Sequence, residues 1–190
     1  MFIRSERLFL RPGWPEDWEE LLSLIGDEKV VRHLANVPWP YTAHDARAFI
    51  ALPHDRLLPR FFITQPGASG ARLVGGVGLH SGLETADGAP ELGYWIARDL
   101  WGRGYASEAG RAVLSLARTL GYERIVATHF IDNPASGRVL EKIGFRHTGR
   151  LVERFSKSRG AKFPAREYER RLGHCDSDDD GGLMRSRRAA

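Results

Sequence analysis

The chain has 190 residues, of which 42% are hydrophobic and 27% charged, as expected of one globular domain with a substantial core. No apolar run approaches the roughly 20 residues that cross a bilayer, and the start has no apolar segment of a secretory signal, so we expect a cytoplasmic protein without a membrane partner. The formal charge of +4 comes from scattered basic residues, which would attract an anionic ligand but indicate no nucleic-acid partner.

The beginning of the chain predicts one strand and three short helices. The strand is predicted over residues 2–11, with Leu8 and Leu10 on one face and Phe9 on the other. Pro15 suits the first position of a helix, which apolar residues at helical spacing continue to the next glycine. A second helix is predicted over residues 28–34. A third follows Thr42, whose spacing to Asp45 resembles a capping box.

Three more strands are predicted before the middle of the chain. Residues 60–65 and 73–80 flank a turn rich in glycine and small residues, which indicates a hairpin, and residues 91–96 add the next strand. The glycines within residues 75–78 lie inside a strand with no helix after it. We therefore interpret them as sites of close packing or a bulge rather than as a nucleotide loop.

A glycine loop follows the strand at residues 91–96. Residues 101–107 read WGRGYAS, and a helix is predicted to begin near Ala106, where its unpaired amides would attract an anion. The loop lacks the Gly-Lys-Ser/Thr ending of a Walker loop, and Ser107 stands where a dinucleotide loop has its third glycine. By itself the loop leaves the identity of the anion open.

A second helix start follows the next strand. Residues 125–131 alternate as in a buried strand, and Asn133 precedes Pro134, an arrangement typical of an N-cap and the first helical position. Gly144 is expected to end this helix in the left-handed conformation. Two consecutive strands would then end at helix N-termini on one edge of the sheet, which suits a long phosphorylated cofactor.

The end of the chain divides into two strands and a tail. Strands over residues 146–155 and 165–172 complete a domain spanning residues 1–172. Residues 173–190 have no apolar period and are expected to be disordered. They contain Cys175, the one cysteine, so no disulfide framework is expected. The element order predicts an α/β (α+β) domain with one mixed sheet and helices on both faces.

Four segments of the chain read SERLFLRP, ELGYWI, WGRGYASEA and DNPASGRVLEKIGF. Together they resemble the GCN5-related N-acetyltransferase (GNAT) superfamily, and within it the RimJ/RimL-like ribosomal-protein alanine acetyltransferases, over residues 5–152. The resemblance implies a single GNAT domain whose sheet has about seven strands, mostly antiparallel. It implies direct transfer of an acetyl group from acetyl-CoA to a primary amine, on a protein N-terminus or a small molecule, in a ternary complex. The protein would be a monomer or a homodimer.

Two other functions stay open at this point. One is an acyl-CoA-binding regulatory protein with little or no turnover. The other is a dinucleotide-binding domain, against which the missing third glycine argues.

The resemblance also assigns residues to the cofactor. Trp101 replaces the Gln or Arg that usually opens the family's loop, a change that leaves the backbone amides in place. The strand at residues 94–96 would pair with the pantetheine arm, Asn133 and Ser136 would lie near its thiol, and Arg138 near the phosphates. The predicted cofactor contacts are Tyr94, Trp95, Ile96, Trp101, Gly102, Arg103, Gly104, Tyr105, Ala106, Ser107, Asn133, Ser136 and Arg138.

Acetyl transfer needs a base for the amine and a proton for the leaving thiolate. Glu91 is the first candidate base, and His80 and His129 are the alternatives. Each also has a purely structural explanation: Glu91 as a solvent-facing glutamate at a strand end, and the histidines as strand-end or core residues. Many family members have a tyrosine donor where this chain has Leu140, so the resemblance transfers that role to Ser136. The predicted catalytic residues are Glu91, Ser136 and Asn133.

Acceptors in the family enter opposite the cofactor, below the early helices. The resemblance therefore places residues 37–41 and the turn at residues 84–90 near the mouth of the pocket. Trp39 and Tyr41 would either clamp the acceptor or pack against the sheet. The predicted acceptor contacts are Trp39, Tyr41, His80, Glu91 and His129, and no metal site is predicted.

Overall fold

The computed structural model of the chain describes residues 1–68, 70–81 and 88–173. Its strands are β1 (Ile3–Arg4), β2 (Phe9–Arg11), β3 (Arg60–Gln65), β4 (Arg72–His80), β5 (Glu91–Ile96), β6 (Arg124–Phe130), β7 (Arg146–Ser156) and β8 (Ala161–Arg171). Its helices are α1 (Trp18–Ile25), α2 (Glu28–Val31), α3 (Ala43–Ala51), α4 (Tyr105–Thr119) and α5 (Pro134–Lys142). Short 3₁₀ turns cover Pro15–Asp17 and Arg98–Leu100.

The strands form one eight-stranded sheet in the order β1-β2-β3-β4-β5-β6-β8-β7. Only β5 and β6 are parallel among the described strand pairs, so the expected mixed and mostly antiparallel sheet is confirmed. The single strand predicted over residues 2–11 is wrong. A turn closed by the hydrogen bond from Ser5 N to Leu8 O (2.9 Å) divides it into the antiparallel β1 and β2.

Helices cover both faces of the sheet, as predicted. The alternation along β3 shows this directly, because Phe61 and Ile63 join one buried cluster while Phe62 joins another. The first cluster contains apolar side chains of α4 and α5, and the second contains those of α1, α2 and α3. The sheet is therefore the middle of three layers.

The predicted helix ends agree with the local chemistry. Thr42 Oγ1 accepts a hydrogen bond from Asp45 N, and Asp45 Oδ2 accepts one from Thr42 N at 2.9 Å, which completes the capping box at α3. Asn133 Oδ1 accepts from Ser136 N at 3.3 Å and caps α5. Gly144 ends α5 with φ +87°, as expected. The predicted second helix is shorter and ends at Val31 rather than at Leu34.

The glycines of β4 permit close packing. A methyl group at Gly75 would overlap the Trp95 carbonyl oxygen, and one at Gly76 would meet the Trp95 indole nitrogen at 2.5 Å. Gly78 would bring a methyl group to 2.8 Å from the Pro59 carbonyl oxygen. The interpretation of residues 75–78 as a tightly packed strand is confirmed.

The parallel strands β5 and β6 meet at one end and separate at the other. Their described register contains one residue pair, Glu91 opposite Val126, next to the hydrogen bond from Val126 N to Pro90 O at 3.0 Å. The later residues of β5 pair only with β4 among the described strands. Since α4 and α5 both begin beyond the separated ends, the sheet opens into a cleft with two helix N-termini at its edge.

Some expectations concern residues outside the described part of the chain. These are the prediction of disorder for residues 174–190, which include Cys175, and the placement of residues 84–87 near the mouth of the pocket. Within the described ranges, no helix has the length and apolar character needed to cross a membrane.

Candidate active site

A cavity of about 1060 Å³ runs through the separated part of the sheet. One end lies between the glycine loop and the start of α5, where Gly104 and Ser136 line it. The other end lies below the early helices, where Val37, Tyr41 and His80 line it. The cavity therefore offers one compartment on each side of the strand gap, as a reaction between two substrates requires.

The glycine loop exposes backbone donors at the start of α4. Gly102 and Gly104 have φ +75° and +79°, which residues with a side chain rarely adopt. Gly104 is the N-cap and supplies no side-chain acceptor, so the amides of the first helical turn face the cavity end without a cap. Tyr105, Ala106 and Ser107 all line the cavity. This arrangement binds anions such as phosphate.

A half-buried carboxylate, that of Glu108, supports this loop. Glu108 accepts hydrogen bonds from Ser5 Oγ (2.7 Å), Arg7 N (2.7 Å) and Arg7 Nε (2.8 Å). Arg7 Nη1 also donates to the Arg103 carbonyl oxygen at 3.1 Å. Burial raises the pKa of Glu108, but the hydrogen bonds from Ser5 and Arg7 outweigh it and hold the pKa below its usual value. The N-terminal segment thus fixes the loop.

Most of the predicted cofactor residues converge on the cavity. Arg103 is the exception, because it does not line the cavity and its carbonyl oxygen accepts a hydrogen bond from Arg7. Trp101 donates its indole N–H to the Ile96 carbonyl oxygen at 2.7 Å and so ties the loop to β5. The predicted residues that line the cavity are Tyr94, Trp95, Ile96, Trp101, Gly102, Gly104, Tyr105, Ala106, Ser107, Asn133, Ser136 and Arg138.

Glu91 lies at the point where β5 and β6 separate. It is 3% exposed, so the alternative of a solvent-facing glutamate is wrong. Thr128 Oγ1 donates to Glu91 Oε1 at 2.6 Å, and Arg154 Nη2 donates to Oε2 at 2.9 Å. His80 Nδ1 lies 3.9 Å from the same Oε2, and its side chain is 40% exposed. Glu91 and His80 therefore form a pair in which the imidazole is the more accessible member.

His129 does not join this pair. Side chains alternate along β6, so Thr128 reaches Glu91 while His129 lies on the opposite face. There the His129 ring lies tilted against that of Tyr168, and a methyl group added at Gly137 would lie 2.7 Å from His129 Nε2. Burial holds the pKa of His129 below its usual value. His129 also lines the cavity, but strand alternation places it apart from Glu91 and His80, so its assignment as an alternative base stays a prediction.

The two predicted aromatic acceptor contacts separate as well. Tyr41 lines the cavity and also packs against the core formed by the early helices. Burial, and to a lesser extent the negative charge of Asp45, raises the pKa of the Tyr41 hydroxyl to about 12. Trp39 is 41% exposed and is not part of the cavity wall. The structure thus brings Tyr41, but not Trp39, to the acceptor compartment.

The roles of several residues in the site could not be predicted from any local sequence pattern. Arg154 and Thr128 contact Glu91 from strands 63 and 37 positions away, and no local pattern connects them. Ser5 and Arg7 belong to the segment SERLFLRP, which supports the family resemblance but suggests no role for either side chain. Their contacts with Glu108 span about 100 positions.

Comparison with known proteins agrees with this geometry. Residues 7–146 match the family described as an acetyltransferase (GNAT) domain. YoaA of Bacillus subtilis (strain 168), described as an uncharacterized N-acetyltransferase, is 29% identical over 170 residues, which are 87% of this chain and 94% of that protein.

Two solved structures are similar in fold. An acetyltransferase (GNAT family) from Bacillus anthracis has a TM-score of 0.75 at 27% identity and covers 90% of this chain and 98% of its own. RimL, described as a ribosomal L7/L12 alpha-N-protein acetyltransferase in complex with coenzyme A, has a TM-score of 0.74 at 21% identity, with the same coverage of both chains. The likeness to RimL concerns the fold alone.

Replacing Glu108 tests its support of the glycine loop. Because its folded-state pKa is depressed, Glu108 stabilises the protein above the unfolded pKa of about 4.3, and this stabilisation is lost as the pH falls through the folded pKa. Glu108→Gln should lower the free energy of unfolding at pH 7 by about 2 kcal/mol, the usual value of hydrogen bonds to a charged group. Thermal denaturation at several pH values measures this.

The difference between Glu108→Gln and the parent protein should shrink in acid, because glutamine does not titrate. Glu153→Gln, at an exposed position on β7, is the matched control and should leave the melting temperature unchanged. If Glu108→Gln lowers the free energy of unfolding by as much at pH 3 as at pH 7, the ionised Glu108 carboxylate does not stabilise the loop in the way described.

Proposed function

The chain belongs to the GNAT acetyltransferase family, and on that premise we propose that it transfers an acetyl group from acetyl-CoA directly to a primary amine. One observation carries the proposal: β5 and β6 separate after Glu91 beside the uncapped N-terminus of α4. That opening joins an anion site on one side of the sheet to a second compartment on the other. Both substrates would be bound together in a ternary complex.

The residues present fit acetyl-CoA, which supplies an activated acetyl group. The amides that follow Gly104 suit the pyrophosphate. The separated half of β5 has no strand partner on the β6 side within the described register, so its backbone suits an extended, amide-bearing arm. Arg138 and Lys142 line the same end of the cavity and suit further phosphate charge.

Proton removal from the amine is assigned to the Glu91–His80 pair. An attacking amine must be neutral, so a nearby group has to take its proton. The carboxylate of Glu91 already accepts hydrogen bonds from Thr128 and Arg154, whereas His80 reaches the cavity wall. We assign His80 as the proton acceptor, with the Glu91 carboxylate 3.9 Å from its Nδ1.

The acceptor is a protein N-terminal α-amine or a small-molecule amine. The four sequence segments resemble the RimJ/RimL-like branch, whose acceptors are ribosomal proteins, and they alone support this finer assignment. We propose this assignment together with a cytoplasmic location. A purely regulatory acyl-CoA-binding role is less favoured, since a hydroxyl at Ser136 lines the cavity and compensates for the apolar, fully buried Leu140.

Thiol release from acetyl-CoA tests the proposed function. A panel of small amines and N-terminal peptides should contain acceptors that accelerate release, and acetyl-CoA should raise the melting temperature while NAD does not. Stabilisation by acetyl-CoA without release on any amine would instead support the regulatory role. Stabilisation by NAD alone would indicate the dinucleotide-binding function.

Substitutions of the Glu91–His80 pair test the base. His80→Asn should lower kcat about 100-fold, because general-base catalysis contributes at least that factor, while KM for acetyl-CoA changes little. Glu91→Gln should lower kcat less and should also destabilise the fold, because it leaves Arg154 beside a neutral partner at a site only 15% exposed.

His44→Asn is the matched control for the loss of an imidazole. His44 lies on the exposed side of α3 and does not line the cavity. It should retain full activity. Equal kcat values for His80→Asn and His44→Asn would remove His80 from the mechanism.

A further inference from the structure

Tyr94 and Ser136 connect β5 to the first turn of α5 inside the cavity. The Tyr94 hydroxyl lies 2.8 Å from Ser136 Oγ and 3.0 Å from the Ser136 carbonyl oxygen. Both side chains line the cavity. Tyr94 therefore has both of its described hydrogen-bond partners on one residue, and these contacts cross the gap between the separated strands.

The contact permits two arrangements in which the two hydroxyls are hydrogen-bonded to each other. Each hydroxyl carries one hydrogen, and three oxygens can accept: the Ser136 carbonyl, Ser136 Oγ and the Tyr94 oxygen. In one state Tyr94 donates to the carbonyl and Ser136 donates to Tyr94. In the other state Tyr94 donates to Ser136 Oγ, and the Ser136 hydrogen is free to point into the cavity. Two hydroxyl rotations interconvert them with no movement of heavy atoms.

We propose that Tyr94 positions the Ser136 hydroxyl so that it donates a hydrogen bond to the sulfur anion formed when the acetyl group leaves CoA. This inference rests on the proposed function. An anion in the cavity favours the state in which the Ser136 hydrogen is free, because the anion is a stronger acceptor than a phenol oxygen. Tyr94 then holds the Ser136 oxygen in place from behind. Tyr94 is a positioning residue, since it acts through Ser136.

The group transfer balances with these residues. The amine nitrogen bonds to the acetyl carbon while the carbon–sulfur bond breaks, and the electron pair of that bond stays on sulfur. The proton lost by nitrogen passes to the Glu91–His80 pair. The sulfur anion accepts a hydrogen bond from Ser136 and takes up one proton from solvent as CoA leaves.

The environment keeps Tyr94 in its donor form. Burial raises the pKa of the Tyr94 hydroxyl well above its usual value, so it retains its hydrogen at physiological pH. The nearby Leu140 is fully buried and apolar and cannot provide a donor. The Ser136 hydroxyl, held in position by Tyr94, can thus donate a hydrogen bond to the sulfur anion while it keeps its own hydrogen.

A double-mutant cycle over Tyr94→Phe and Ser136→Ala tests the inference with two readouts. The first is kcat for thiol release. The second uses no turnover: the pKa of the CoA thiol bound to each protein, followed by the ultraviolet absorbance of the thiolate. Tyr122→Phe is the matched control, because its hydroxyl bonds to the Leu57 carbonyl oxygen at 2.8 Å and lies outside the cavity wall.

Tyr94→Phe should lower kcat about tenfold, and KM for acetyl-CoA should change by less than about twofold. It should also raise the pKa of the bound CoA thiol by about one unit, which corresponds to the same tenfold factor. In the Ser136→Ala background, the further change to Phe at position 94 should alter neither readout, because the two residues act as one unit. Tyr122→Phe should match the parent protein. Additive effects, equal in both backgrounds, would overturn the inference and reduce Tyr94 to a structural role.

The outcomes also separate this inference from the proposed function. A parent protein that neither binds acetyl-CoA nor releases thiol overturns both. A parent protein that turns over but shows additive effects overturns only the role of Tyr94. If Tyr94→Phe does not fold, site-specific 3-fluorotyrosine at position 94 keeps the hydroxyl and makes it a stronger donor. It should lower the pKa of the bound thiol only when Ser136 is present, and an equal shift without Ser136 overturns the inference.

Discussion

The separation of two parallel strands is the constraint on which the rest of the site depends. Because β5 and β6 share one residue pair and then diverge, the sheet has an opening through its middle rather than at its edge. Each strand leads into a helix whose N-terminus lies at that opening. An anion site and an acceptor compartment can therefore meet at one gap, which is the geometry that direct transfer between two substrates requires.

Two carboxylates, one buried and one half-buried, hold the two sides of this opening. Glu91 joins β5 to β6 and β7 through Thr128 and Arg154, at the point where the strands begin to separate. Glu108 joins α4 to the N-terminal segment through Ser5 and Arg7 and so supports the glycine loop. The buried Glu91 is stable in the interior because Thr128 and Arg154 donate hydrogen bonds to it. Neither position is free to relax when a ligand binds, which favours a preformed site.

Local chemistry made much of the fold predictable from the sequence, whereas contacts between distant residues did not follow from it. The capping residue Asn133 and the left-handed Gly144 act within a few positions, so their roles could be read directly. The turn at Ser5 was missed although residues 4–7 read RSER and interrupt the apolar pattern there. The alternation along β6 does not indicate which of Thr128 and His129 lies beside Glu91, so this contact could not be predicted from the sequence.

A titration of the ¹⁵N-labelled protein with acetyl-CoA, followed by amide chemical shifts, tests the central claim most directly. The account predicts the largest changes at the amides of residues 105–107, which begin α4, and of residues 94–96 in the separated half of β5. It predicts small changes on the outer strands β1 and β7. Large shifts confined to another surface, with the amides at the start of α4 unmoved, would contradict the assignment of this opening as the acetyl-CoA site.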